Sequence, residues 1–329
     1  MENLFVGVDI SKDTFDCVIL NERHEVISQH SVFDNNTKGL RAFIKGLKVF
    51  SSSSMNVCIE DTGRYGALFI SELIAAGITL FVVNPLEIKR SSGLARGKSD
   101  KVDALRIASY AATFRHRLTP YTLPTDELLQ LQAIMSQRDL FTKILVQCKN
   151  NLKSLQVLAK STEVKKIITQ AKKAVKENEA KIALFERMMM DLIKSDEELH
   201  KTFKKITQIT GVGPITALKC IAETNNFKKF SSPRKFSCHC GLAPFKYQSG
   251  TSVNGKTRTS KLCNKSLKGI LFKAAATAIY HDPELRSYYE RKVNQGKHKL
   301  SVINAVANKI VLRIFAVALR EEPFVKITP

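Results

Sequence analysis

The sequence predicts two classes of structure in one chain, an α/β layer followed by an all-α remainder. Three observations predict it. Over the first 120 residues, short apolar runs of β type alternate with helical patterns. Beyond Pro124, two stretches of about 35 residues each keep helical periodicity without a Gly or a Pro. The charge changes at the same point: residues 1–120 hold 15 Lys/Arg and 13 Asp/Glu, whereas residues 121–329 hold 37 and 17. The chain of 329 residues is long enough for about two domains with real cores.

The elements follow in order. Residues 4–9 (LFVGVD), 15–20 and 25–30 read as three strands separated by polar turns, as in a meander. Asn36 or Thr37 caps a helix to about Leu47, with Leu40, Phe43, Ile44 and Leu47 on one face. Residues 55–60 (MNVCIE) form a buried strand, 65–76 a helix and 79–83 a strand. Helices over 125–159 and 162–200 would each reach roughly 50 Å at 1.5 Å per residue. They predict a helical hairpin or coiled coil able to join protomers, with an internal bundle as the alternative. The sequence Gly211-Val212-Gly213-Pro214 predicts a tight turn between helices, of a kind that can offer backbone N–H groups to a phosphate. Three more helices are expected over 264–278, 283–294 and 300–320. The domains expected are 1–120, 121–200 and 201–329.

Composition narrows the function. With 44% hydrophobic and 25% charged residues the chain reads as globular rather than disordered. No apolar run is expected to reach the ~20 residues of a membrane span, and the start MENLFVGVDI has no leader pattern, so a cytoplasmic protein without a membrane partner is expected. Seven scattered cysteines argue against a disulfide scaffold. The formal net charge of +22 calls for a polyanion. Residues 224–281 hold eleven Lys/Arg and no acid, yet include Leu242, Leu267 and Leu271, so the segment can fold and still meet phosphates.

Four acids stand where catalysis would need them. Asp9 and Glu60 end apolar strands, a costly place for a carboxylate without a cation. Asp100 and Asp103, three apart where a helix begins, share one face. Gathered together they would repel, and Mg²⁺ (or Mn²⁺) suits an all-oxygen set. Singly, each has an ordinary role: Asp9 as a turn cap, Asp100 as a helix N-cap with Asp103 at N3. Asp61 is expected on the opposite face of the strand, and Asp13 and Asp16 at the surface. Together, on an α/β frame, the four look like the ribonuclease-H-like (RuvC-type) nuclease core.

Residues 241–268, GLAPFKYQSGTSVNGKTRTSKLCNKSLK, look like a Gly/Ser/Thr-rich loop that approaches DNA closely. Ser249 precedes a glycine, and Lys246, Lys256, Arg258, Lys261, Lys265 and Lys268 supply positive charge toward nucleic acid. From residue types alone, this is a phosphate-binding loop before it is a nucleophile. The run Cys238-His239-Cys240 lacks the spacing of a structural zinc site and reads as buried helix cysteines.

The ordered motifs VGVD (Asp9), CIEDTGRY (Glu60), VNP, KSDKVDA (Asp100, Asp103), GVGPITA and GLAP…QSGTSV resemble the DEDD transposases of the insertion-sequence 110 family, which includes Piv-type DNA invertases. The resemblance runs end to end. It implies a RuvC-like domain and a C-terminal transposase domain joined by a coiled coil, with Asp9, Glu60, Asp100 and Asp103 as metal acids. Ser249 would be the nucleophile, and Ser252 its neighbour. It also implies an oligomer (dimer or tetramer), donor and target DNA, and a guiding bridge RNA. Asp61 and Phe245 depart from the family pattern, adding a carboxylate and removing one basic contact. The alternatives are a nuclease using water, with Ser249 only binding phosphate, an invertase, or a binding protein without activity.

Overall fold

The structure is a computed structural model that describes residues 3–50, 54–93, 99–158, 161–249 and 253–322. The chain forms two compact units, Met1–Leu123 and Pro124–Pro329.

The first unit is a five-stranded sheet covered on both faces. Its strands are β1 (Asn3–Ile10), β2 (Thr14–Asn21), β3 (Val26–Asp34), β4 (Ser54–Glu60) and β5 (Thr79–Val83), in spatial order β3-β2-β1-β4-β5. The β1–β2 and β2–β3 pairs are antiparallel; β1–β4 and β4–β5 are parallel. The meander expected of the first three strands is present, and two parallel strands extend it on the β1 side. Its helices are α1 (Thr37–Leu47), α2 (Ala67–Ala75), α3 (Pro85–Ser91) and α4 (Asp100–Phe114). The short α3 is started by Pro85 behind Asn84, whose side chain accepts the Leu86 N–H.

Strand alternation sorts the residues of β1 between two cores. Leu4, Val6, Val8 and Ile10 join Phe15, Leu40, Phe43 and Phe69 under α1 and α2. The intervening positions, Phe5, Gly7 and Asp9, face the other side, where α4 packs. There Val18 and Leu20 of β2 meet Ala104 and Ala108. Gly7 permits that approach, since a Cβ on it would stand 2.2 Å from the Ala104 carbonyl oxygen and the Ala108 nitrogen.

The second unit opens with α5 (Asp126–Val157) and α6 (Thr162–Ser195). The two run antiparallel: Arg138 Nε donates to Glu186 at 2.9 Å, the Phe141 and Phe185 rings stack at 5.7 Å, and Lys149 pairs with Glu179 at 2.7 Å. The second long helix was expected to reach residue 200, but it stops at Ser195. Asp196 takes extended backbone and accepts the Leu199 N–H, starting α7 (Glu197–Thr207). A side-chain cap makes the break that no Gly or Pro announces. There follow α8 (Pro214–Thr224), α9 (Pro233–His239), β6 (Pro244–Ser249), β7 (Val253–Thr259), α10 (Lys265–His281), α11 (Pro283–Asn294) and α12 (Lys299–Leu319).

One core joins Leu128, Leu131 and Met135 at the foot of α5, and Met189 and Ile193 of α6, to the helices that follow. α12 is, by length and composition, apolar enough to cross a membrane, which corrects the expectation that no such run exists. Its Val306, Ile310 and Ile314 lie in this core.

Candidate functional site

Asp9 is next to last in β1 and Glu60 is last in β4. The register pairs Val8 with Ile59, so both carboxylates leave the same end of the sheet. Counting by two places each on the face that carries α4. Asp100 and Asp103 occupy the first turn of α4, held against β1 by the contact at Gly7. The cap of α4 is Ser99, whose hydroxyl accepts the Val102 N–H at 3.3 Å. This corrects the reading of Asp100 as N-cap and frees its carboxylate from that role. Asp9 does not cap the following turn either; Ser11 does so through Thr14.

The electrostatics unite the set. Burial raises the Asp9 pKa from 3.8 to about 6, helped by the charges of Glu60, Asp103, Asp100 and Asp16. Asp16 was expected at the surface. It is 7% exposed, stands directly across from Asp9 in the β1–β2 register, and is held by His30. Its signal was available: a residue facing Asp9 across an antiparallel pair shares Asp9's side of the sheet. Arg106 Nη1 binds Asp103 Oδ1 at 2.7 Å and offsets part of the charge. Asp61 is exposed and accepts the Gly63 N–H at 3.3 Å.

Carboxylate oxygens alone suit a hard divalent cation. A partly buried acid whose ionisation neighbouring acids oppose is where such a cation relieves most repulsion. By chemistry the residues therefore fit Mg²⁺ or Mn²⁺. Among the described residues, however, no three His, Cys, Asp or Glu side chains are already gathered as a ligand set.

The second unit places the serine segment differently from expectation. Residues 241–268 are not a loop: β6 and β7 form an antiparallel hairpin, with Phe245 paired to Arg258 and Ser249 to Val253. Ser249 is the last residue of β6; its side chain and that of Lys256 lie outside the described parts, as does Ser252. Lys246 and Arg258 are exposed on the hairpin, and Lys261 and Lys265 are exposed after it. Lys268 reaches Thr259 Oγ1 at 3.5 Å. Tyr247 is 72% exposed, and a Cβ on Gly255 would meet its ring at 2.9 Å. In the Cys-His-Cys run, Cys240 is buried and His239 Nε2 lies 3.3 Å from Glu223.

Comparison with known proteins joins the two units. A DEDD transposase model of the IS110 type matches residues 6–160, and a model described as Transposase IS116/IS110/IS902 family matches residues 204–290. The pilin gene-inverting proteins of Moraxella bovis and Moraxella lacunata are 26% and 25% identical, each alignment covering 99% of both chains. The insertion element IS900 42 kDa protein of Mycobacterium paratuberculosis is 22% identical over 93% of both. T. thermophilus RuvC, solved with a Holliday junction substrate, aligns with 36% of this chain and 99% of its own at 13% identity. Its TM-score of 0.28 is too low to bear on the fold. With the two family matches in sequence order and together spanning most of the sequence, the chain belongs to the IS110 family of DEDD transposases.

Proposed function

We propose that this DNA transposase breaks and rejoins DNA strands through a covalent link between Ser249 and a DNA phosphate, with Asp9, Glu60, Asp100 and Asp103 holding Mg²⁺. What supports the reading is placement: Asp9 and Glu60 leave the same end of adjacent strands on the face that carries α4, and the first turn of α4 bears Asp100 and Asp103. A divalent ion bound there supplies charge neutralisation of the scissile phosphate. The chain's own residues do the rest. In the transfer, an Oγ–P bond forms as the P–O bond to the departing sugar breaks, and the serine proton ends on that sugar oxygen. Lys246, Lys256, Arg258, Lys261, Lys265 and Lys268 hold the surrounding phosphates from the acid-free surface. A bridge RNA chooses the sites. The α5–α6 hairpin joins protomers as a coiled coil, so that the 1–120 acids of one copy serve the serine of another in the cytoplasm.

The test is a mixture of protein, RNA, Mg²⁺ and end-labelled DNA, resolved under denaturing conditions. Wild type should give a protein–DNA adduct and Ser249→Ala none, a loss of at least about 10³-fold if the nucleophile is absent. An adduct that survives Ser249→Ala rejects the serine; free ends in its place indicate hydrolysis by water. Inversion of a fixed segment is the second reading, favoured by the full-length match to two gene-inverting proteins. A plasmid carrying one pair of inverted sites distinguishes inversion from insertion.

A further inference from the structure

The hairpin that carries Ser249 leaves the helical body between two residues, His239 at the end of α9 and Asn264, the cap of α10. One side chain of α8 reaches both. Glu223 Oε2 lies 3.3 Å from His239 Nε2, and its Oε1 accepts from Asn264 Nδ2 at 2.9 Å. The two roots also meet directly, since the Asn264 backbone N–H donates to the His239 carbonyl at 2.9 Å.

Each partner is committed on its other side. Asn264 Oδ1 accepts the Leu267 N–H at 3.0 Å, so the same amide caps α10 and presents its donor to Glu223. The His239 ring packs on those of Phe230 and Phe236, with centroids 5.3 and 6.2 Å away. Gly241, at φ +66°, lets one root pass close to Cys263 of the other; a Cβ on it would stand 2.6 Å from that sulfur. On α8, one turn before Glu223, the buried Lys219 binds Asp139 of α5 and donates to Ser266 of α10 at 2.7 Å. The carboxylate therefore stands on a fixed helix.

Its ionisation suits the task. The His239 hydrogen bond, with the charges of His239, Lys219 and Lys229, holds the Glu223 pKa below the ordinary carboxylate value against the opposing effect of burial. An ionised carboxylate only accepts, so each root can donate to it. Small motions at these roots are magnified along the hairpin. Ser249 ends the six-residue β6, about 16 Å from Pro244 at ~3.3 Å per residue, so a tilt of roughly 10° displaces it by about 3 Å. A misplacement of about 1 Å can already cost on the order of 10²-fold in rate.

The geometry points to Glu223 as a positioning residue that fixes both roots of the hairpin, and through them Ser249, against α8. The effect on chemistry rests on the serine reading; the hold on the hairpin is measurable without DNA or RNA. The chain has no Trp, so Tyr247→Trp at an exposed hairpin position gives a single fluorescent reporter in the full-length protein. Its time-resolved anisotropy should be dominated by overall tumbling, and Glu223→Ala should about double the amplitude of nanosecond motion. Asn264→Asp should do the same, because it keeps the oxygen that caps α10 but sets a second charge against Glu223. Glu223→Gln should restore the original decay, as an amide of the same shape can bond to both roots.

In the adduct assay, Glu223→Ala should slow adduct formation at saturating DNA by about tenfold or more, with DNA half-saturation moving less than about twofold. Glu223→Gln should stay within about threefold of wild type. Ile310→Val lowers stability in the core, away from the roots, and should change neither readout. Circular dichroism melts report folding, and Asn264→Asp decides if Glu223→Ala does not fold. Unchanged nanosecond motion in the Ala and Asp variants overturns the proposal. So does an equal change in Ile310→Val, a loss that Glu223→Gln shares in full, or a shift in DNA half-saturation alone. The serine reading is scored apart: an adduct that survives Ser249→Ala rejects it, and the anisotropy result stands either way.

Discussion

Asp9 carries the clearest residue-scale consequence. Its carboxyl titrates near pH 6 in the folded chain against 3.8 ordinarily, because burial and four neighbouring acids oppose its charge. The folded state therefore binds the proton more tightly than the unfolded one, and stability falls as pH rises from about 4 to about 6. In the presence of a chelator, Asp9→Asn should be more stable than wild type above that window and equal to it below. The gain is on the order of 1–2 kcal/mol, since solvent screens part of the full displacement at a half-open site. Thermal melts across the pH range check this. Added Mg²⁺ should raise the wild-type melting temperature and narrow the difference, and a gap that is unaffected by pH would refute the assignment. Asp16 shows why the sequence yielded only part of this cluster. Asp9 and Glu60 are marked by the apolar runs that they end, but Asp16 lies early in its strand and is marked only by its pairing partner.

At the scale of elements, the site depends on how closely α4 lies on β1. Gly7→Ala would drive a methyl into the backbone of Ala104 and Ala108, with an expected cost of about 1–3 kcal/mol or more, and would carry Asp100 and Asp103 away from Asp9. Gly46→Ala in α1 meets nothing and should instead gain roughly 0.5–1 kcal/mol. Urea denaturation separates the two, and strand cleavage should fail in the first alone. β1 and β2 were legible because burial on both faces writes them as apolar runs. The β6–β7 hairpin was not, because Lys246, Tyr247, Gln248 and Arg258 face solvent and no hydrophobic alternation marks it. The boundary at Asp196 was hidden for another reason: a capping carboxylate ends one helical pattern and starts the next without altering composition.

For the whole molecule, the separate cores of the two units predict two unfolding transitions in calorimetry, with Gly7→Ala shifting one and leaving the other in place. A single transition displaced as a whole by that substitution would show that the units unfold together. The charge asymmetry was fully legible, being a matter of counting, whereas the packing of the Gly211 turn against α10 was not, because the sequence does not place the two side by side. The hairpin has a mechanical corollary. Its buried positions are Leu128, Leu131 and Met135 on α5 and Met189 and Ile193 on α6, with Ile168 close to the far bend. Such a pair is a cantilever clamped at one end: a load applied near Val157 has a lever arm of about 30 Å and delivers its torque to the clamp. That clamp holds the ion pair between buried Lys219 and half-buried Asp139, so tugging on the far end would be felt first as shear across that pair.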